Sequence, residues 1–233
     1  RLSFGTGNAW IGDFGHLFLA NINVNDVSGS IPTLLFVVFQ GTFAAIAVAI
    51  VSGSVIERVR FSTWGIFSIL WVLAVYAPIA HWVWGGGFLS NSGEMDFAGG
   101  TVIHINAGIA GLVLSYLVGK RKAHSLEEVR KPSSIKFMVH GSALLWFGWF
   151  GFNGGSQLAA DGIAANALLV TNIAATAGAL IWLTIEWFIV KKPTLIGMAS
   201  GAISGLVGIT PASGFVDASG ALAIGIISGL VGY

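Results

Sequence analysis

Cysteine is absent from this 233-residue chain, and charge is scarce, with only 9% of residues Asp, Glu, Lys or Arg. Without cysteine there is no disulfide, no thiolate metal site and no cysteine nucleophile, and the compartment is not legible from redox chemistry. Soluble domains carry roughly 25% charged residues. With 55% hydrophobic residues and a mean hydropathy of +0.84, a soluble globular domain is nearly excluded. A net charge of +1 offers nucleic acid no bulk attraction. The short alternating strands of an outer-membrane barrel are missing as well. Arg1-Leu2-Ser3-Phe4-Gly5 lacks the basic, apolar and small-residue succession of a signal peptide. The chain stops at Gly232-Tyr233 inside an apolar run, and it reads as the middle of a longer protein.

What is present is a series of apolar runs near the bilayer-crossing length of about 20 residues. Residues 1–30 are polar, rich in Gly and Asn, with a short apolar patch at His16–Leu19, and read as an extracytoplasmic loop with one short helix. Residues 31–233 read as one all-α membrane domain of about seven transmembrane helices, near 31–55, 63–84, 101–119, 137–155, 166–190, 195–212 and 219–233. The 33 glycines suit close helix–helix contact in lipid. Gly197, Gly201 and Gly205 fall on one helix face with Ser200 and Ser204 beside them, and Gly225 and Gly229 repeat the spacing. Packing is the favoured reading of these faces over a pore lining.

The charges set an orientation. Glu57-Arg58-Val59-Arg60 follows the first run, Lys120-Arg121-Lys122 with Arg130, Lys131 and Lys136 follows the third, and Lys191-Lys192 follows the fifth. These alternate loops hold every Lys and Arg except Arg1, whereas the opposite loops hold Asp13, Asp26, Glu94, Asp96, Asp161 and Asp217. Cytoplasmic loops are enriched in Lys and Arg, so the first run should cross from outside to inside.

Ionisable residues within membrane helices are costly and usually functional. His104 is the clearest case, several residues into an apolar run, with Asp96 eight positions upstream. A neutral imidazole donates one hydrogen bond, accepts another, or passes a proton. Asp96 has two readings: a carboxylate that attracts cations, or a helix-start residue accepting backbone N–H bonds around Ala98-Gly99-Gly100. Aromatics gather at the outer ends of the runs, in Trp82-Val83-Trp84-Gly85-Gly86-Gly87 and Trp146-Phe147-Gly148-Trp149-Phe150-Gly151-Phe152-Asn153-Gly154-Gly155-Ser156. An interfacial belt explains many of them but not three successive glycines. Aromatic faces attract cations by ~0.5–2 kcal/mol, and a hydroxyl such as Ser156 adds an acceptor. His124 is read as solvated, His140 as interfacial, and His81, beside Trp82, as a packing residue. A histidine-bound metal enzyme is disfavoured because only His104 sits deep in a run and a metal site needs several convergent ligands.

Four runs, Phe39-Gln40-Gly41-Thr42-Phe43-Ala44, Trp84-Gly85-Gly86-Gly87, Asp96-Phe97-Ala98-Gly99-Gly100-Thr101-Val102-Ile103-His104-Ile105-Asn106-Ala107-Gly108 and Trp149 to Ser156, resemble the Amt/Mep/Rh ammonium transporters, especially the Amt branch, in the family's order. The resemblance spans the chain, from the loop before the family's third helix into its ninth. It implies an ammonium-transporter fold with inverted repeats, incomplete here, in the cell membrane. Phe43, Trp84 and Ser156 look like an outer vestibule recruiting the cation. Phe43 and Phe152 look like a phenyl gate. Asp96 looks like the acidic residue that shapes the recruitment site and assists proton loss, with the Ala98 carbonyl facing the vestibule. His104 looks like the first of two pore histidines, and Thr210 is similar to a pore-side position on the eighth helix.

The resemblance also implies ammonium or ammonia as substrate, with methylammonium as a further candidate, no catalytic activity as an enzyme, no cofactor or metal, a homotrimer and a cytoplasmic PII-type regulator. The second pore histidine belongs to the family's tenth helix, for which this chain has no counterpart. Two other functions of the same fold stand as alternatives: an ammonium sensor and an Rh-type channel for neutral gas.

Overall fold

The computed structural model describes residues 2–120 and 133–233. Arg1, His124 and most of the basic run, from Arg121 to Lys131, lie outside the described residues. The chain divides into two compact units, Arg1–Lys122 and Ala123–Tyr233.

In the first unit, a loop leads through a short 3-10 turn at Leu17–Leu19 to a two-residue hairpin pairing Val27 with Pro32 and Ser28 with Ile31. The apolar patch near His16 does not make a regular helix, since Phe18 sits at φ 53. Pro32, with φ held at −54, leads directly into α1, Thr33–Ser52. This helix is apolar on all sides, yet its buried side chains are only Phe43, Ala47 and Val51, four apart on one stripe. A helix apolar all round belongs either in a core or in lipid, and the exposure of Leu35, Val38 and Ile50 selects lipid.

The next helical run joins α2, Phe61–Trp71, to α3, Ala77–Trp84, through a π-helical segment at Val72–Tyr76. Its cause is Pro78, which has no N–H to give and whose ring crowds the carbonyl four residues back. Widening the preceding turn relieves the clash, and Ala77 N–H reaches Val72 O instead. A single turn, α4 (Phe88–Asn91), follows. A second π-helical segment, Gly100–Ile105, opens α5, Asn106–Val118, which packs on α1. At the far end of these two helices Arg58 donates to the carbonyls of Ser54 and Gly119, closing both helix ends with one guanidinium.

The second unit holds α6 (Ile135–Gly155), α7 (Gly162–Ile189), α8 (Leu195–Ile209) and α9 (Ala218–Gly232). Each begins on a side-chain cap: Ser134, Asp161, Thr194 and Asp217 accept the first free amides of their helices. The glycine faces pack backbone on backbone. A methyl group at Gly201 would strike the carbonyl of Gly178, one at Gly205 that of Ala174, and one at Gly225 the same Ala174. Around Ala174 the core of Val170, Ile209 and Ala221 closes.

Thr33–Ser52, Phe61–Asn91, Gly100–Val118 and Gly162–Ile189 have the length and hydropathy to cross a membrane. Ile135–Gly155 is long enough at 21 residues but more polar. Leu195–Ile209 and Ala218–Gly232 are apolar but have 15 residues each, about 22 Å at 1.5 Å per residue against a hydrocarbon core of about 30 Å. The helical runs thus follow the seven apolar segments, with ends displaced by a few residues.

Candidate functional site

The start of the Gly100–Ile105 segment organises the first unit. The Asp96 carboxylate, 7% exposed, accepts four backbone amides: Oδ1 from Gly99 at 2.8 Å and Gly100 at 2.6 Å, Oδ2 from Thr101 at 2.8 Å and Val102 at 3.0 Å. A helix start leaves four amides without a partner, and one side chain takes all of them. Of the two readings of Asp96, the helix-start role is the one its oxygens carry out. Gly99 must reach φ 109 for this turn, where only glycine is comfortable. Thr101 Oγ1 donates outward to Glu94 Oε1 at 2.6 Å.

Trp84 hangs on the same turn. Its indole Nε1 donates to the main-chain carbonyl of Asp96 at 2.8 Å. Its ring meets Phe43 edge-on at 5.8 Å between centroids, and Phe43 in turn meets Phe39 at 4.7 Å. Phe43 is 2% exposed and Ala98 fully buried. Phe43, Trp84 and Asp96, from three separate stretches of the chain, therefore gather on one corner of one unit, with Ala98 two residues beyond Asp96. His104 lies within the π-helical turn that Asp96 opens, its N–H donating to Gly99 O, five residues back, at 3.1 Å. Such turns place one more residue per turn than an α-helix and recur at functional sites.

The second unit carries Phe152, Ser156 and Thr210. Ser156 Oγ donates to Phe152 O at 2.7 Å. Phe152 lies tilted against Trp149, with ring centroids 5.3 Å apart; the Trp149 indole donates to Thr210 Oγ1 at 2.9 Å, while that hydroxyl donates to Leu206 O at 2.7 Å. Thr210 is fully buried, and its hydroxyl has both a donor and an acceptor to serve. Behind them Asn153 Nδ2 donates to Thr171 Oγ1 at 2.8 Å. The pairing of Trp149 with Thr210 was not legible in sequence, since belt tryptophans and packing tryptophans look alike.

Sequence reasoning also passed over the ring chemistry of His81. It is buried, with Nδ1 at 3.0 Å from Ser3 O and Nε2 at 2.7 Å from Asn8 O. The available signal was the unexplained Gly85-Gly86-Gly87. His140, by contrast, is exposed, its Nδ1 against Lys136 O one turn earlier. Among the described residues no group of three or more His, Asp or Glu side chains is placed to hold a metal ion.

Known proteins share both sequence and fold. The chain is 49% identical to an ammonium transporter of Bacillus subtilis over 99% of its own length and 57% of that protein's. It is 45% identical to the ammonium transporter Amt1 of Archaeoglobus fulgidus, covering all of this chain and 57% of the relative. The crystal structure of Saccharomyces cerevisiae Mep2 superposes with a TM-score of 0.91 at 40% identity, over 98% of this chain and 54% of that one. A sensor Amt protein gives 0.87 at 29% identity, over 99% of this chain and 59% of its own. The chain therefore spans little more than half the length of these relatives, two of which are named ammonium transporters and one a sensor. With the Ammonium Transporter Family model matching residues 1–233, this multi-pass integral membrane chain belongs to the ammonium transporter family.

Proposed function

We propose that this chain serves ammonium transport across the membrane, recruiting the cation at an aromatic corner and passing ammonia, with its proton moving separately, through an apolar pore containing histidine. The observation that carries the reading is the linkage within the first unit: Trp84 and Phe43 in edge contact, and Trp84 bonded to the residue whose carboxylate opens the turn bearing His104. A charge at bilayer depth costs from ~3 to more than 10 kcal/mol. Potassium cannot shed its charge, whereas ammonium releases a proton and crosses as a neutral molecule. An apolar passage behind a cation-attracting corner separates these two ions of similar size.

In this scheme Phe43, Trp84, Ser156 and the backbone ordered by Asp96, including the Ala98 carbonyl, recruit the cation. Phe43 and Phe152 gate, and His104 and Thr210 line the passage. Asp96 works by ordering backbone rather than as a bare charge, because its oxygens are occupied by amides. Thr210 is the weakest member, its hydroxyl being engaged by Trp149 and Leu206. A homotrimer and a cytoplasmic PII-type regulator against the basic face follow from the family resemblance.

The test is flux of ammonium and potassium through the full-length protein in proteoliposomes. His104→Asp should abolish discrimination between the two ions, and unchanged current and selectivity in that variant would remove the scheme. A sensor role is favoured by one observation, the likeness to a sensor Amt protein. Signalling without flux in the same vesicles would select it.

A further inference from the structure

Two roles were open to Asp96 in sequence, attracting a cation and starting a helix. Its oxygens are engaged by four backbone amides in a nearly dry position. A carboxylate whose charge is already met by donors orders the backbone but offers little to an ion in solution. The attracting role at this corner is therefore open to another group.

Glu94 stands two residues earlier and is exposed. Both ends of this residue are fixed. Its N–H donates to Leu89 O at 3.1 Å and that of Gly93 to Ser90 O at 3.1 Å, closing α4 with Gly93 at φ 86, the left-handed closure common at helix ends. At its other end Oε1 accepts from Thr101 Oγ1 at 2.6 Å, and the Thr101 N–H is one of the four amides on Asp96. Glu94 is thereby tied to the turn that also holds Trp84 through the Asp96 carbonyl. Among the described residues the Thr101 hydroxyl makes the one hydrogen bond of its carboxylate. The other outer carboxylates of this unit serve their own loops, Asp13 holding Thr6 and Gly15, and Asp26 holding Asn23. The loops on this side hold no Lys or Arg beyond Arg1, so basic side chains do little to cancel the field of Glu94.

We infer that Glu94 is the electrostatic collector of the corner, an exposed and tethered carboxylate that raises the concentration of small monovalent cations beside Trp84, while Asp96 holds the backbone in shape. It works through its field, as charges at the mouth of a cleft raise the local concentration of an oppositely charged substrate. Water and salt weaken such a field, so its contribution is a modest factor in affinity and not an on–off switch. The inference rests on the reading of this corner as the place where the cation is recruited.

The test is ammonium uptake by the full-length protein in vesicles of neutral lipid, which add no surface charge of their own. Calorimetric titration of ammonium chloride onto the same protein gives a second reading that does not need flux. Glu94→Gln removes the charge and keeps an acceptor for Thr101. At about 10 mM ionic strength, where the screening length is about 30 Å, its half-saturation concentration should stand about 1.5- to 5-fold above wild type, the span of an exposed ion pair. Glu94→Lys should exceed it. In about 1 M N-methylglucamine chloride, where that length shrinks to about 3 Å, wild type and both variants should converge. A purely structural role through Thr101 would be insensitive to salt and would spare the glutamine variant. Equal half-saturation of all three at low salt overturns the inference and leaves the transport reading standing, and so does a gap that persists at high salt. Binding that follows the same charge and salt pattern in a protein without flux retires the transport reading and keeps Glu94 as the collector. A wild type with neither saturable uptake nor saturable binding removes both.

Discussion

Trp84 and Asp96 are joined through the main chain, the indole donating to the Asp96 carbonyl at 2.8 Å while the Asp96 carboxylate holds the next four free amides. The aromatic that faces Phe43 and the turn that carries His104 are thereby parts of one rigid corner. A change to either residue is felt by the other.

Replacing Asp96 exposes the size of this dependence. Asp96→Ala leaves four amides without their acceptor in a nearly dry site, at a cost on the order of 3 kcal/mol or more. Asp96→Asn retains one acceptor oxygen and should lie between. Thermal unfolding in detergent should rank wild type above Asn above Ala. Equal stability of all three would show that the cap is not needed to hold the turn.

Trp84→Leu removes both the cation-attracting face and the donor to Asp96. The half-saturation concentration for ammonium flux should rise by about 2- to 30-fold, the span of ~0.5–2 kcal/mol for one aromatic. Trp84→Phe keeps a ring and should lose less. Identical uptake curves for Trp84→Leu and wild type would take Trp84 out of recruitment.

The Trp149–Thr210 bond can be isolated by a double-mutant cycle. Thr210→Val strands a buried indole N–H and should cost about 1–3 kcal/mol, whereas adding Trp149→Phe removes the stranded donor and recovers part of that loss. Additive effects in chemical denaturation would mean that the hydroxyl and indole are not coupled.

Three aspartates outside the spans respond to acid. The Ala164 N–H, with Gln157, holds Asp161 below the usual carboxylate range. The Gly220 N–H, with Ser219, does so for Asp217, and the Thr6 hydroxyl brings Asp13 down to about 2. A lowered folded-state value means the contribution is complete above the unfolded carboxylate range and fades as pH falls through the folded value. Amide exchange at Ile163 and Gly220 should therefore accelerate, after correction, as pH falls below the usual carboxylate range. Asp161→Asn and Asp217→Asn should flatten that response at their own helix only.

Legibility in sequence depended on whether a signal is local. The runs of apolar residues and the alternating basic loops mark the helices because lipid demands length and the cytoplasm collects Lys and Arg. Asp96 before Gly99-Gly100 reads as a helix start since its acceptors lie three to six residues away, and His104 stands out as the ionisable group deep in an apolar run. The glycine faces of α8 and α9 read as packing surfaces, and their backbone contacts with α7 are of that kind. The bond between Trp149 and Thr210 spans 61 positions and that between His81 and Ser3 spans 78, and no periodicity records either. The π-helical turns were equally hidden: a single proline and a left-handed glycine decide them, and both residues also occur in ordinary kinks and loops.

The widened turn from Gly100 to Ile105 has a consequence for how this chain tolerates change in length. It stores one residue beyond what a regular coil would hold between the same flanking positions. Deleting a residue elsewhere in a helix swings everything beyond it by about 100°, turning a buried stripe toward lipid. Within this turn the surplus can be absorbed, leaving Asn106–Val118 with its faces unturned, and the position of the imidazole is what shifts instead.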